Sequence, residues 1–237
     1  MAIHSKKYNV VVATGAGVSA ESGVPTFRAY DGLWEGYRPE EVATPEAFQR
    51  NPELVWRFYF ERREKLTKVK PNAAHLAISN WQSHFEVLPV ITQNVDGLHQ
   101  TAGSTNVLEL HGSLVTSRCI ACTEERYDSQ FESVDGGVPR CECGGMLRPG
   151  VVWFGESLPE GVIESAFEAA ANCETLIVIG TSNQVQPAAQ IPVIASDAGA
   201  RVIEVNPEPT PLTHLADHFL QGKAGDIVPG LLEKYLL

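Results

Sequence analysis

Four of the five cysteines in this 237-residue chain fall in two short knuckles, Cys119-x2-Cys122 and Cys141-x-Cys143, separated by 18 residues. Four soft thiolates so spaced are the donor set Zn2+ takes in a closed tetrahedron, although the second pair is one residue short of the usual C-x2-C. Gly144-Gly145 supplies the tight turn this knuckle needs. With all four positions held by protein no place is left for a reactive water, so the predicted metal is one structural zinc ion. The fifth cysteine, Cys173, stands before an apolar run and reads as a small core residue.

A second chemistry-bearing segment is Gly15-Ala16-Gly17-Val18-Ser19-Ala20, which follows an apolar run and matches G-x-G-x-x-G/A. Gly15 and Gly17 are expected to bring backbone close to a pyrophosphate, a helix starting there to offer its free N–H groups, and Ala20 to let that helix pack closely. A dehydrogenase would continue into a strand ending in an acidic residue ~20 positions on. Here Pro25 to Trp34 reads as a loop, and neither Asp31 nor Glu35 ends a strand, so hydride transfer loses support. Three adjacent polar groups, Gln93, Asn94 and Asp96, follow a strand where open α/β sheets bind ligands, and helix capping accounts for one of them. His111 also follows a strand, and by position alone it reads as a structural histidine.

The elements that must position these groups are short β-branched runs at Tyr8 to Ala13, Phe85 to Thr92, Val107 to Leu110, Leu176 to Ile179 and Arg201 to Val205. Helical patterns at Pro159 to Ala171 and, interrupted by Pro192, at Pro187 to Ala198 alternate with them. This predicts an α/β fold: an open parallel Rossmann-like sheet with a smaller zinc-binding and helical module. Residues 1–28, 83–115 and 148–237 are assigned to the sheet domain, 29–82 to a cofactor loop and helical module, and 116–147 to the zinc module. Thr44-Pro45, Asn51-Pro52 and Asn72 mark helix starts in the second of these. Lys and Arg number 18 against 29 Asp and Glu, a net charge of −11 with no basic run, so a nucleic-acid partner is not expected. No stretch approaches the ~20 apolar residues of a membrane span, no cleavable leader is legible, and the cysteine usage suits a reducing, cytoplasmic setting.

Taken together, GAGVSAESGVPTFR (Gly15 to Arg28), TQNVDGLH (Thr92 to His99), ELHG (Glu109 to Gly112), the four cysteines, RPGVVWFGE (Arg148 to Glu156), GTSNQVQPA (Gly180 to Ala188) and EVNPE (Glu204 to Glu208) closely resemble the sirtuins, in the same order. Sirtuins are NAD-dependent protein-lysine deacylases. The resemblance implies NAD as cofactor and acylated lysine, bound as an extended strand, as partner. It implies that the acyl amide oxygen displaces nicotinamide from the ribose and that His111, as general base on a ribose hydroxyl, drives acyl transfer to ADP-ribose. Asn94 and Asp96 would position nicotinamide and ribose, and Gln93 would bond the ribose hydroxyls and orient His111. Gly15, Ala16, Gly17, Ser19, Ala20, Phe27, Arg28, Trp34 and Val95 would line the cofactor. Gly180, Thr181 and Ser182 would take phosphate and ribose oxygens, with Asn206, Pro207, Glu208 and Ala224 toward the adenosine. Val151, Val152 and Phe154 would pair with the peptide.

Members that remove succinyl, malonyl or glutaryl groups carry Tyr-x-x-Arg, matched here by Tyr59 and Arg62, and a small residue where Ala43 stands. A phenol and a guanidinium on one helical face would hold a distal carboxylate. Desuccinylase and demalonylase activity with retained deacetylase activity is therefore expected. Mono-ADP-ribosyl transfer and non-catalytic NAD sensing are the alternatives.

Overall fold

Runs of Val, Ile and Leu that cover both faces of a strand build the larger sheet. In the computed structural model, which describes residues 8–26, 36–85, 88–127 and 137–236, six strands pair in parallel. They are β1 (Tyr8–Thr14), β2 (Val90–Thr92), β3 (Val107–Glu109), β7 (Cys173–Ile179), β8 (Arg201–Asn206) and β9 (His218–Gln221). Their order is β3-β2-β1-β7-β8-β9. This is the order of a doubly wound nucleotide-binding sheet, with β4 (Gly112–Cys119), β5 (Glu125–Tyr127) and β6 (Leu147–Val151) inserted between its halves. Strand order reverses between β1 and β7, which fixes the ligand crevice at the carboxyl ends of those two strands.

Alternate residues of β1 face opposite ways. Val10 and Val12 join Ile177, Ile179, Ile203 and Val205 beneath helix α4 (Ala73–Trp81). Val11 and Ala13 join Leu176, Val178 and Val202 beneath α6 (Glu160–Ala171) and α7 (Gln190–Asp197). Helix α4, grouped by sequence with the helical module, thus packs on the parallel sheet.

The inserted strands form an antiparallel sheet, β5-β4-β6. Against it lie α1 (Pro39–Val42), α2 (Pro45–Arg50) and α3 (Pro52–Leu66). Thr44 Oγ1 accepts from Ala47 N at 3.1 Å, Asn51 Oδ1 from Leu54 N at 3.0 Å and Asn72 Oδ1 from Ala74 N at 2.9 Å, so all three expected helix starts are capped. Arg63, 1% exposed, ties α3 to β4 by donating to the Leu114 and Thr116 carbonyls.

Several boundaries differ from expectation. β2 begins at Val90, because Pro89 offers a carbonyl to Val12 but has no N–H for a ladder. β7 starts at Cys173 itself, buried as expected. α7 starts at Gln190, so Pro192 lies in its first turn, where a missing N–H costs no intrahelical bond. The glycine loop opens two 3-10 turns, Ala16–Val18 and Ala20–Ser22, rather than a helix, and Ala20 is exposed. No helix among the described residues is long and apolar enough to cross a membrane.

Candidate active site

The ends of four strands, β1, β2, β7 and β8, meet in the crevice. Gly15 N donates to Ile179 O at 3.0 Å and Gly17 N to Gly180 O at 2.7 Å, so these N–H groups hold the neighbouring loop rather than standing free for a phosphate. The glycines are needed for that approach: a Cβ on Gly15 would lie 2.8 Å from Thr181 Cα, and one on Gly17 2.7 Å from Gly180 Cα. Gly180 has φ +62°, a left-handed backbone suited to glycine. Thr181 gathers the remaining ends. Its Oγ1 accepts from Gln93 Nε2 at 3.0 Å, and its carbonyl accepts from Asn206 Nδ2 at 2.9 Å.

The segment after β2 is held from behind. Ser19, fully buried in the glycine loop, donates to Asp96 Oδ2 at 2.7 Å and accepts from Asn94 Nδ2 at 3.1 Å. Asp96 Oδ1 accepts from Leu98 N at 3.0 Å, the first N–H of the short helix α5 (Leu98–Thr101), whose N-cap is Gly97. His75 on α4 accepts from Asn72 N through Nδ1, which leaves Nε2 to donate to Ser19 Oγ at 3.3 Å. Sequence reading named Ser19, Asn94 and Asp96, quoted Thr92 and His99 without a role, and missed His75 and Thr14, which complete this layer. Those contacts span as many as 85 positions, and only the strand-end placement of Thr14 and Thr92 hinted at them.

His111 is half-buried just before β4. Its Nδ1 lies 2.8 Å from the Gln93 carbonyl oxygen, which can only accept, so Nδ1 carries the proton and Nε2 is the basic nitrogen. Burial pulls its pKa below the usual histidine value, against the smaller opposing effect of the Gln93 carbonyl. Gln93 therefore orients His111 with its backbone, while its side chain bonds Thr181. His111 O accepts from Val152 N at 2.8 Å, fixing the Val151 to Phe154 strip beside the histidine.

A charged clamp closes that strip. Arg148 donates to both carboxylate oxygens of Glu156 and to Val151 O, and its guanidinium lies 3.5 Å over the Trp153 ring. Glu156 also accepts from Trp153 N at 2.8 Å. Burial pushes the Glu156 carboxyl up, but these donors outweigh it and hold it below the usual carboxylate value. Sequence reading quoted Arg148 and Glu156 without a role. Their signal was opposite charge flanking an apolar strip with a glycine, Gly155, at φ +86°.

The other expected substrate groups approach the same strip. Phe154 N donates to Ala43 O at 3.0 Å, and Trp153 Nε1 to Tyr59 OH at 3.0 Å. Tyr59 is buried, which pushes its phenol pKa up, and the Arg62 charge acts on it in the opposite direction. Ser182, Pro207 and Glu208 are exposed, Ala224 is buried, and Val95 is half-buried. Phe27, Arg28 and Trp34 lie outside the described residues.

The Sγ atoms of Cys119, Cys122, Cys141 and Cys143 all lie within 4.8 Å of one another, with Cys119–Cys143 at 3.5 Å and Cys122–Cys141 at 3.7 Å. Tetrahedral zinc–thiolate bonds of ~2.3 Å put sulfurs ~3.8 Å apart, so the cluster fits one zinc ion. The Cys122 and Ala121 N–H groups pull the Cys119 thiol down to about 6, favouring thiolate.

A profile described as the Sir2 family matches residues 15–187. An NAD-dependent protein deacylase of Pyrococcus furiosus is 48% identical over 237 residues, covering 98% of this chain and 95% of the relative. A Sir2 homologue solved as an NAD complex superposes with TM-score 0.89 at 47% identity, covering 98% of this chain and 92% of that one. Sir2Tm bound to a propionylated peptide gives TM-score 0.83 at 30% identity, covering 96% and 94%.

Proposed function

This chain belongs to the Sir2 family, and on that premise we propose that it is an NAD-dependent protein-lysine deacylase that removes succinyl and malonyl as well as acetyl groups. The observation that carries the reading is His111, with its acceptor nitrogen fixed by Gln93, at the same strand ends as Asn94 and Asp96.

Bound NAD supplies an electrophilic anomeric carbon with nicotinamide as leaving group. Asn94 and Asp96, braced by Ser19, hold the nicotinamide carboxamide and ribose. His111 accepts the proton of a ribose hydroxyl at Nε2, which lets that oxygen take the acyl group. Gly15, Ala16, Gly17, Ser19, Ala20, Gln93, Val95 and Gly180 to Ser182 line the phosphates and this ribose. Asn206 to Glu208 and Ala224 line the adenosine. Phe27, Arg28 and Trp34 are assigned to the cofactor on the family resemblance alone. The zinc cluster braces the antiparallel sheet and takes no part in the chemistry.

Val151, Val152 and Phe154 receive the acylated lysine in an extended segment, and backbone pairing there tolerates many sequences. Tyr59, which accepts from Trp153 Nε1, and Arg62, whose charge acts on that phenol, hold a distal carboxylate, and the small Ala43 leaves it room. The net charge of −11 argues against a nucleic-acid partner, and we infer a cytoplasmic enzyme without a membrane partner. The test is nicotinamide release from NAD with and without an acyl-lysine peptide. Release that requires the peptide is expected, and NAD binding without release would leave only a sensing module.

A further inference from the structure

Histidine 99 has no role in the chemistry above, yet it is 1% exposed and sits behind the site. Its Nε2 lies 3.0 Å from Thr14 Oγ1. Thr14 uses its hydroxyl proton on Thr92 Oγ1 at 2.9 Å, so the proton between Thr14 and the ring belongs to His99. Thr92 Oγ1 accepts in turn from Asn94 N at 3.0 Å. The relay joins the last residue of β1 to the last residue of β2, and the site segments begin directly after each.

The other ring nitrogen, Nδ1, is buried and has no hydrogen-bond partner among the described residues. A leucine would fill this space without burying an unmet acceptor. What histidine adds is one donor, aimed at Thr14. Burial, with His75 nearby, lowers its pKa to about 3, so the ring stays neutral and the relay keeps one direction. The loop also closes on itself, because Asp96 Oδ1 accepts from Leu98 N, the first N–H of the helix that carries His99.

We propose that His99 is a positioning residue for nicotinamide cleavage, its single ring N–H fixing the backbone at Asn94 through the hydroxyls of Thr14 and Thr92. The inference rests on the deacylase reading. A small displacement of a group that aligns reacting atoms is enough to slow a step severely.

The test uses the full chain with NAD and an acetyl-lysine peptide. His99→Leu is expected to lower kcat for nicotinamide release about tenfold, keep the peptide KM within about twofold, and melt no lower than wild type. His99→Gln, whose amide N–H can reach toward Thr14, recovers at least half of the loss. Thr14→Val gives the same loss as His99→Leu, and the double variant is no worse than either single one. Wild-type kcat in His99→Leu, a loss that only tracks the unfolded fraction, or additive losses in the double variant would overturn the inference while leaving the deacylase reading intact. A wild-type protein that releases no nicotinamide overturns both.

Discussion

The Gln93 carbonyl oxygen accepts a hydrogen bond from His111 Nδ1 at 2.8 Å and thereby chooses which nitrogen of that ring can act as a base. Burial lowers the His111 pKa below its ordinary 6.5, so the neutral, proton-accepting form prevails at pH 7. Acidification protonates Nε2 and removes the proposed base. The acid limb of kcat/KM therefore has its midpoint below 6.5, and a midpoint above that value contradicts the assignment. His111→Tyr should lower acyl transfer by about 10²–10⁴-fold with the melting temperature retained.

The proposed acyl preference turns on Arg62. Each charge-assisted bond to a distal carboxylate contributes roughly 1.5–3 kcal/mol, or about tenfold to a hundredfold in kcat/KM. Arg62→Met should reduce desuccinylation by that factor while acetyl-peptide turnover survives. Equal losses on both peptides would remove Arg62 from acyl recognition.

Breaking the Arg148–Glu156 clamp should be costly, because the Arg148 side chain is only 8% exposed and would lose its counter-charge. Removing one partner of such a pair costs ~3–5 kcal/mol. Glu156→Ala is expected to lower the melting temperature by on the order of 10 °C and to raise the peptide KM, since the Val151 to Phe154 strip loses its anchor. Replacing both partners with Met and Gln should cost less, and a double variant less stable than Glu156→Ala would contradict this account.

The four cysteines should retain one zinc per chain through purification, measured by elemental analysis. Cys141→Ala is expected to lose the metal and melt earlier, because Cys119 and Cys141 are buried in the core that α3 shares with the antiparallel sheet. A metal-free variant of unchanged stability would show that the cluster does not brace that sheet.

Much of this was legible in the sequence because it is local. The β-branched runs of β1, β7 and β8, the caps Thr44, Asn51 and Asn72, and the cysteine knuckles each declare themselves within a few residues. β9 was missed because its ends are polar and exposed, as an edge strand allows. The antiparallel sheet was missed because β4 interrupts its alternation with a bulge between Gly112 and Ser117. The glycine fingerprint located the crevice, but the purpose of Gly15 and Gly17 depends on a loop more than 160 positions away. The His75 and His99 layer depends likewise on contacts that only the folded sheet creates.

Product masses from an acetyl- or succinyl-lysine peptide incubated with NAD test the central claim most directly. The account predicts equal amounts of nicotinamide, free-lysine peptide and 2′-O-acyl-ADP-ribose. Free-lysine peptide formed while NAD stays intact, or ADP-ribose attached to a peptide that keeps its acyl group, would contradict it.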